Sequence, residues 1–308
     1  MGRVFAIARA IIGALVLAGF VLLAVVAFVS PRIAPPPTVT AHVAPAVARR
    51  PNPLVSMAPL ACLGPLRFVP AAAHNEANLN STPVTPFGVP ERGWAVYAPL
   101  IAHEIGTSCG PSSPAFAEAY SRWQSAHAFI PTGEVDPPAL SLLTMTWLLR
   151  RPFVLAMKAG CPASPLEGSL ATAAPSEAYG GKTVQARAAA LDAYRRMVAS
   201  ARQDLKLPPQ VLTIASAYRG PMEETARCAD GSCGNPAKAH CSAHRTGLAF
   251  DLYLGSAPGR EPFSTAYDDR LQQSRTPAYR WLVQHAGEFG FTPYPYEPWH
   301  WEWTGEPV

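Results

Sequence analysis

Charge is scarce in this chain. Asp, Glu, Lys and Arg together make up 15% of its 308 residues, and the formal net charge is only +4. No run of Lys and Arg is interleaved with aromatic residues, so nucleic acid is not an expected partner. No internal repeat is visible. The cysteines lack the paired CxxC spacing of a structural zinc site. His103-Glu104 is not followed by a second histidine four residues later, so the helical His-Glu-x-x-His metal motif is absent too. Hydrophobic residues, in contrast, reach 49%. That is ample for a core and excludes a chain disordered as a whole.

The longest uncharged apolar run lies near the start. Residues 10–29 follow Arg3 and Arg9 and contain no charged side chain. About 20 apolar residues span a bilayer core as a helix, and the positive residues before the run assign that end to the cytoplasm. Residues 1–30 are therefore expected to form a cytoplasmic stub and a single transmembrane anchor in a bacterial inner membrane. A cleaved signal peptide is the alternative, and either way the body is exported to the periplasm. Six cysteines, at 62, 109, 161, 228, 233 and 241, suit that compartment. Disulfides are the better reading of them, with fifteen pairings open.

Residues 31–53 are rich in proline and small residues and read as an extended linker. A small, mainly helical domain is expected over residues 54–165. In it Phe116, Ala119, Tyr120, Trp123 and His127 recur at helical spacing as one buried stripe. Pro131, Thr132 and Gly133 end that helix, and Asp136 caps another beginning near Pro137. Residues 177–308 alternate helix and strand signals. Residues 184–205, alanine-rich and free of Gly and Pro, predict a long helix. Strands are expected over 212–217, 248–254 and 299–303, with a helix over 279–289. The fold class is α+β, with a small antiparallel sheet flanked by helices.

Two segments in this last region carry chemistry. The first is Ser242 to Asp251, SAHRTGLAFD, in which a histidine precedes a glycine turn and a strand with one carboxylate among apolar residues. Aspartate is depleted in strands and costly to bury unpaired, a cost that a metal ion removes. The second is Glu297-Pro-Trp-His300, where the neighbouring prolines exclude a helix. His244, Asp251 and His300 then supply three ligands to one Zn2+ and leave a fourth position for water, the arrangement of catalytic zinc sites. Glu297 is the natural general base, provided that Pro298 bends the chain to bring it beside His300.

These residues resemble the VanY-type D-alanyl-D-alanine carboxypeptidases, zinc peptidases that act on peptidoglycan. The pattern Ser-x-His-x-x-Gly-x-Ala-x-Asp is met by Ser242, His244, Gly247, Ala249 and Asp251. The later Glu-x-Trp-His is met by Glu297, Trp299 and His300, and a Tyr-Arg after the first strand by Tyr218 and Arg219. The resemblance implies zinc on His244, Asp251 and His300, Glu297 as base, Arg219 polarising the scissile carbonyl, and Ser242 contacting substrate. The segment holding Cys228, Cys233, His240 and Cys241 departs from the common pattern and reads as a disulfide-pinned loop at the cleft rim. Upstream, Trp123-Gln124, Thr132-Gly133 and Val135-Asp136 resemble the helical peptidoglycan-binding repeat, the bland alternative being a spacer with an ordinary core. The expected activity is a zinc D,D-carboxypeptidase that removes terminal D-alanine from peptidoglycan stem peptides. The alternatives are an endopeptidase or dipeptidase using the same site, and a wall-binding scaffold without turnover.

Overall fold

The structure is a computed structural model, and it describes residues 60–166 and 168–306. The expected membrane helix and linker, residues 1–30 and 31–53, lie outside the described residues. Among the described residues no single helix is long and apolar enough to cross a membrane.

In chain order the helices are α1 (Val69–Asn78), α2 (Ala98–Glu104), α3 (Pro114–Ala126), α4 (Pro137–Leu149), α5 (Pro152–Ala156), α6 (Ala188–Asp204), α7 (Pro221–Arg227), α8 (Tyr267–Ser274) and α9 (Pro277–His285). The strands are β1 (Pro83–Val84), β2 (Glu91–Arg92), β3 (Leu170–Thr172), β4 (Gln185–Arg187), β5 (Ile214–Ser216), β6 (Ala249–Leu252), β7 (Phe291–Pro293) and β8 (His300–Trp303). Two short antiparallel pairs, β1-β2 and β3-β4, accompany a four-stranded antiparallel sheet of order β5-β6-β8-β7. The mixture is α+β, as the sequence predicts.

Strand β6 shows why the sheet forms. Leu248, Phe250, Leu252 and Leu254 fall on one face at period two, and all are buried in the core. Phe250 stacks on Tyr194 of α6 at 5.7 Å and meets Phe291 of β7 edge-on at 5.6 Å. Helix α6 covers this face with Leu191, Tyr194, Met197 and Ala201, spaced as one helical stripe. It starts four residues later than the composition predicts. Residues 185–187 pair with β3 instead, because the ladder Ala171↔Ala186 satisfies their backbone and overrides alanine's helix preference.

The upstream helices follow their sequence signals closely. Ser113 caps α3 by accepting from Phe116 N, and Asp136 caps α4 by accepting from Ala139 N. Phe116, Ala119, Tyr120 and Trp123 are buried as expected. His127 is not, since α3 ends at Ala126, and its exposed ring stacks on Trp123 at 4.2 Å. The wall-repeat-like residues have internal work. Gln124 accepts from Gly133 N and donates to Glu134 O, closing the Thr-Gly turn. Gly133 has φ +79°, and a Cβ there would come within 2.7 Å of Ala117 O.

One hydrophobic core runs through both regions, from Cys62 and Trp94 to Phe291 and Trp301, and the described residues belong to one compact unit. A buried polar seam reinforces it. Arg270 of α8 pairs with Glu91 of β2 at 2.5 Å and donates to Tyr97 Oη at 2.6 Å. All six cysteines are bonded, as Cys62–Cys109, Cys161–Cys241 and Cys228–Cys233.

Glu104 at the end of α2 accepts from both terminal nitrogens of Arg150 and from Trp147 Nε1. Burial pushes its carboxyl up, but the Arg150 fork more than offsets this and holds it below the ordinary value of 4.5. A depressed carboxyl contributes stability that is present above its unfolded pKa and lost as the pH falls through the folded one. Glu104→Gln is therefore expected to lower Tm at pH 7. The gap from wild type should close as the pH drops below 4.5, in thermal melts recorded across that range.

Candidate active site

The site is built on the second face of β6. Asp251 stands opposite His300 in the β6-β8 ladder and opposite Ser216 in the β5-β6 ladder. Directly opposed residues have Cβ atoms about 5 Å apart, so register alone brings an aspartate and an imidazole together. His300 Nδ1 lies 3.0 Å from Asp251 Oδ1.

His244 reaches the other carboxylate oxygen, its Nε2 lying 3.1 Å from Asp251 Oδ2. It is carried by a single 3₁₀ turn, Ala243–Thr246, capped by Ser242, whose hydroxyl accepts from His244 N. Gly247 ends the turn with φ +70°. A Cβ there would meet Leu170, Pro165 and Arg187 side chains at 3.2–3.3 Å. Ala217 O, which can only accept, lies 2.6 Å from His244 Nδ1, so Nδ1 is the donor there and Nε2 is the nitrogen turned to Asp251. Donor atoms of His244, Asp251 and His300 that could hold a metal ion lie within 4.8 Å of one another. The donor set of two anchored imidazoles and one carboxylate fits a divalent ion of the zinc type.

The turn at Glu297 comes from the prolines, as the sequence requires. Glu297 N donates to Tyr294 O and His300 N donates to Glu297 O, two successive turns around Pro298. Glu297 Oε2 lies 3.9 Å from His300 Nδ1. Positions that would point apart in a straight strand thus share one side. Burial pushes the Glu297 carboxyl up to about 8 in the metal-free protein, against the pull of His300. Burial also pushes Asp251 up, yet the two imidazoles overcome it and hold the carboxyl below its ordinary range. His300 is disfavoured as a cation by burial but raised to about 9 by Asp251 and Glu302.

Arg219 donates to Ser242 Oγ at 3.3 Å and to Ser216 Oγ at 3.0 Å, with exposed Glu223 at 3.6 Å from its Nε. Arg245, a rival partner for Asp251, turns instead to buried Glu224, donating through Nε at 2.6 Å. Glu224 also accepts from Ser242 N. Ala249 stands opposite Glu302, so the room that its methyl leaves lies beside that carboxylate. Glu302, two residues after His300 on β8, lies 3.3 Å from His300 Nε2 and is held by Arg151. Nothing in the sequence marks Arg151, because its partner stands 151 residues away.

A cleft of about 640 Å³ opens over this cluster, lined by Arg219, Ser242, His244, Asp251, Glu297 and His300. A second, of about 410 Å³, adjoins it at Arg219 and Asp251 and runs past Tyr179 and Glu261. Cys161–Cys241 sits next to Ser242 at the rim. Cys228, Cys233 and His240 also cluster, but the two sulfurs are bonded to each other and are lost as thiolate ligands. A separate cavity of about 580 Å³ beside His103, Arg275 and Gln284 lies away from the cluster.

Residues 183–306 match the family model described as VanY, D-alanyl-D-alanine carboxypeptidase. This segment is a VanY-family domain. It contains all six residues that the sequence singles out, whereas Arg151 and Cys161 lie before it. Comparison with curated proteins finds no match. The match implies a hydrolase of carboxypeptidase type, and the candidate metal group His244, Asp251 and His300 lies within the matched residues.

Gly247→Ala should strain the left-handed turn that presents His244. An expected cost of about 1–2 kcal/mol would appear as a lower urea midpoint with an unchanged slope.

Proposed function

We propose that the protein is a zinc-dependent D,D-carboxypeptidase that removes terminal D-alanine from peptidoglycan stem peptides. The observation that carries this reading is the cluster of His244, Asp251 and His300 with Glu297 beside it, at the floor of the cleft of the VanY domain. His244 Nε2, His300 Nδ1 and an Asp251 oxygen would hold the ion. When bound, zinc supplies Lewis acidity that lowers the pKa of a water and polarises a carbonyl.

The chain's own groups do the rest. Glu297 takes the proton of the attacking water and returns it to the departing amine of D-alanine. Its carboxylate, buried and 3.9 Å from His300 Nδ1, stands where it can take a proton from one side of the cluster and release it to the other. Arg219 faces the negative charge that grows on the scissile carbonyl oxygen, pre-aimed by two serine hydroxyls. Ser242 contacts the substrate. The body works in the periplasm, anchored in the inner membrane through residues 10–29 with the N-terminus cytoplasmic. The apolar run and the fully bonded cysteines support this location.

The adjoining clefts favour one second reading. Space on both sides of Asp251 suits a substrate that continues beyond the scissile bond, as in an endopeptidase. Mass spectrometry of muropeptides treated with the purified protein separates the two. Loss of terminal D-alanine from pentapeptides is the expected result, and cleavage confined to crosslinked dimers would favour the endopeptidase.

Glu297→Gln should lower kcat by about 10²–10⁴-fold with zinc content unchanged, and retained turnover would remove Glu297 as the base. His244→Ala should lose zinc by elemental analysis, and unchanged zinc would undo its assignment as a ligand.

A further inference from the structure

Arg151 precedes α5, in the helical region ahead of the VanY match. Its side chain is nevertheless buried and reaches into the C-terminal sheet. Nε donates to Glu302 Oε1 at 2.7 Å, and a terminal nitrogen reaches the same oxygen at 2.5 Å. The other carboxylate oxygen accepts from Phe153 N at 3.2 Å. The guanidinium lies over the Tyr294 ring at 3.9 Å, against the loop that carries Glu297. Glu302 is 1% exposed and faces His300 Nε2. A continuous chain of contacts thus runs Arg151–Glu302–His300–Asp251.

A buried ion pair is a poor device for stability alone, because desolvation offsets most of the attraction. It does fix orientation. A histidine that ligates through one nitrogen needs its other N–H held, commonly by a carboxylate or a carbonyl, and losing that partner costs about 10–100-fold in metal affinity. For His244 the partner is Ala217 O, part of the backbone and already fixed. For His300 the partner is a side chain, which must itself be held. Arg151 and Phe153 N together grip both oxygens of Glu302. The same upstream segment is tied to the far side of the cleft by Cys161–Cys241, beside Ser242.

We propose that Arg151 is a positioning residue of the metal centre. Acting through Glu302, it fixes the ring of His300 with Nε2 as donor and Nδ1 turned to Asp251, so the upstream region completes a site whose ligands all lie in the VanY domain. This rests on the metal reading above.

The test uses the full chain and zinc alone. Zinc affinity is measured by competition with a chromophoric chelator for wild type, Arg151→Met, Arg151→Lys, Glu302→Gln and the Arg151→Met/Glu302→Gln double. Arg151→Met is expected to weaken zinc binding about 10-fold or more. In the Glu302→Gln background the same change should add less than about two-fold, since Arg151 acts only through that carboxylate. Imidazole ¹⁵N signals of the zinc-loaded protein should show His300 protonated at Nε2 alone in wild type and as a tautomer mixture in Arg151→Met. A folded Arg151→Met with wild-type affinity and tautomer, or losses that multiply in the double, would overturn the inference. Should Arg151→Met fail to fold, Arg151→Lys keeps the charge but loses the fork. Weaker zinc binding with a mixed tautomer supports the inference in that variant, and wild-type values overturn it. A wild type that binds no zinc overturns the metal reading itself, whereas zinc binding insensitive to position 151 removes only this inference.

Discussion

A carboxylate placed on an inner strand of a sheet and largely withdrawn from water must be compensated or the strand will not stay folded. In this protein the carboxylate is Asp251, and its compensation is two imidazoles brought from opposite directions, one across the ladder and one from a turn. Burial alone drives the group toward its neutral form; the two histidines reverse that. Much of the surrounding structure serves this one arrangement. Gly247 permits the turn that presents His244, Ala217 O fixes which nitrogen of that ring carries the proton, and Pro298 turns Glu297 to the same side.

The proline- and tyrosine-rich approach to His300 is held from both flanks. Arg151 lies over Tyr294 at 3.9 Å and Arg270 over Tyr296 at 4.2 Å, and each arginine is neutralised by a buried glutamate. Both clamps involve the upstream region, the first through Arg151 and the second through Glu91. Such contacts explain how a loop without regular hydrogen bonding can present a buried carboxyl in one orientation. They also give the helical region a mechanical task beside the catalytic cleft, independent of any affinity for the wall.

The cluster of His244, Asp251 and His300 was legible because three unusual features coincide: an aspartate in an apolar strand, a glycine after a histidine, and prolines around a Glu-Pro-Trp-His segment. Strand faces around Phe250 and the cap at Asp136 followed from periodicity and side-chain chemistry that act locally. The start of α6 was misjudged because residues 185–187 are claimed by pairing with β3, a contact that composition does not record. His127 was taken as buried because spacing continues past a helix end that spacing cannot see. Arg151 was invisible for a related reason. An arginine among others in a helical segment carries no mark of a partner in the last strand, and only the fold brings Glu302 to it.

That Asp251 and His300 face each other across one rung of the ladder has a further consequence. Side chains alternate along a strand, so a slip of one residue would turn Asp251 into the oily layer and swing Phe250 out over the cleft. Only one alignment of β6 on β8 can grasp a cation. Any ion held there would reward that alignment alone and raise the unfolding free energy as its free concentration exceeds its dissociation constant. The cation would then act as a proofreader of strand pairing as well as a participant in hydrolysis.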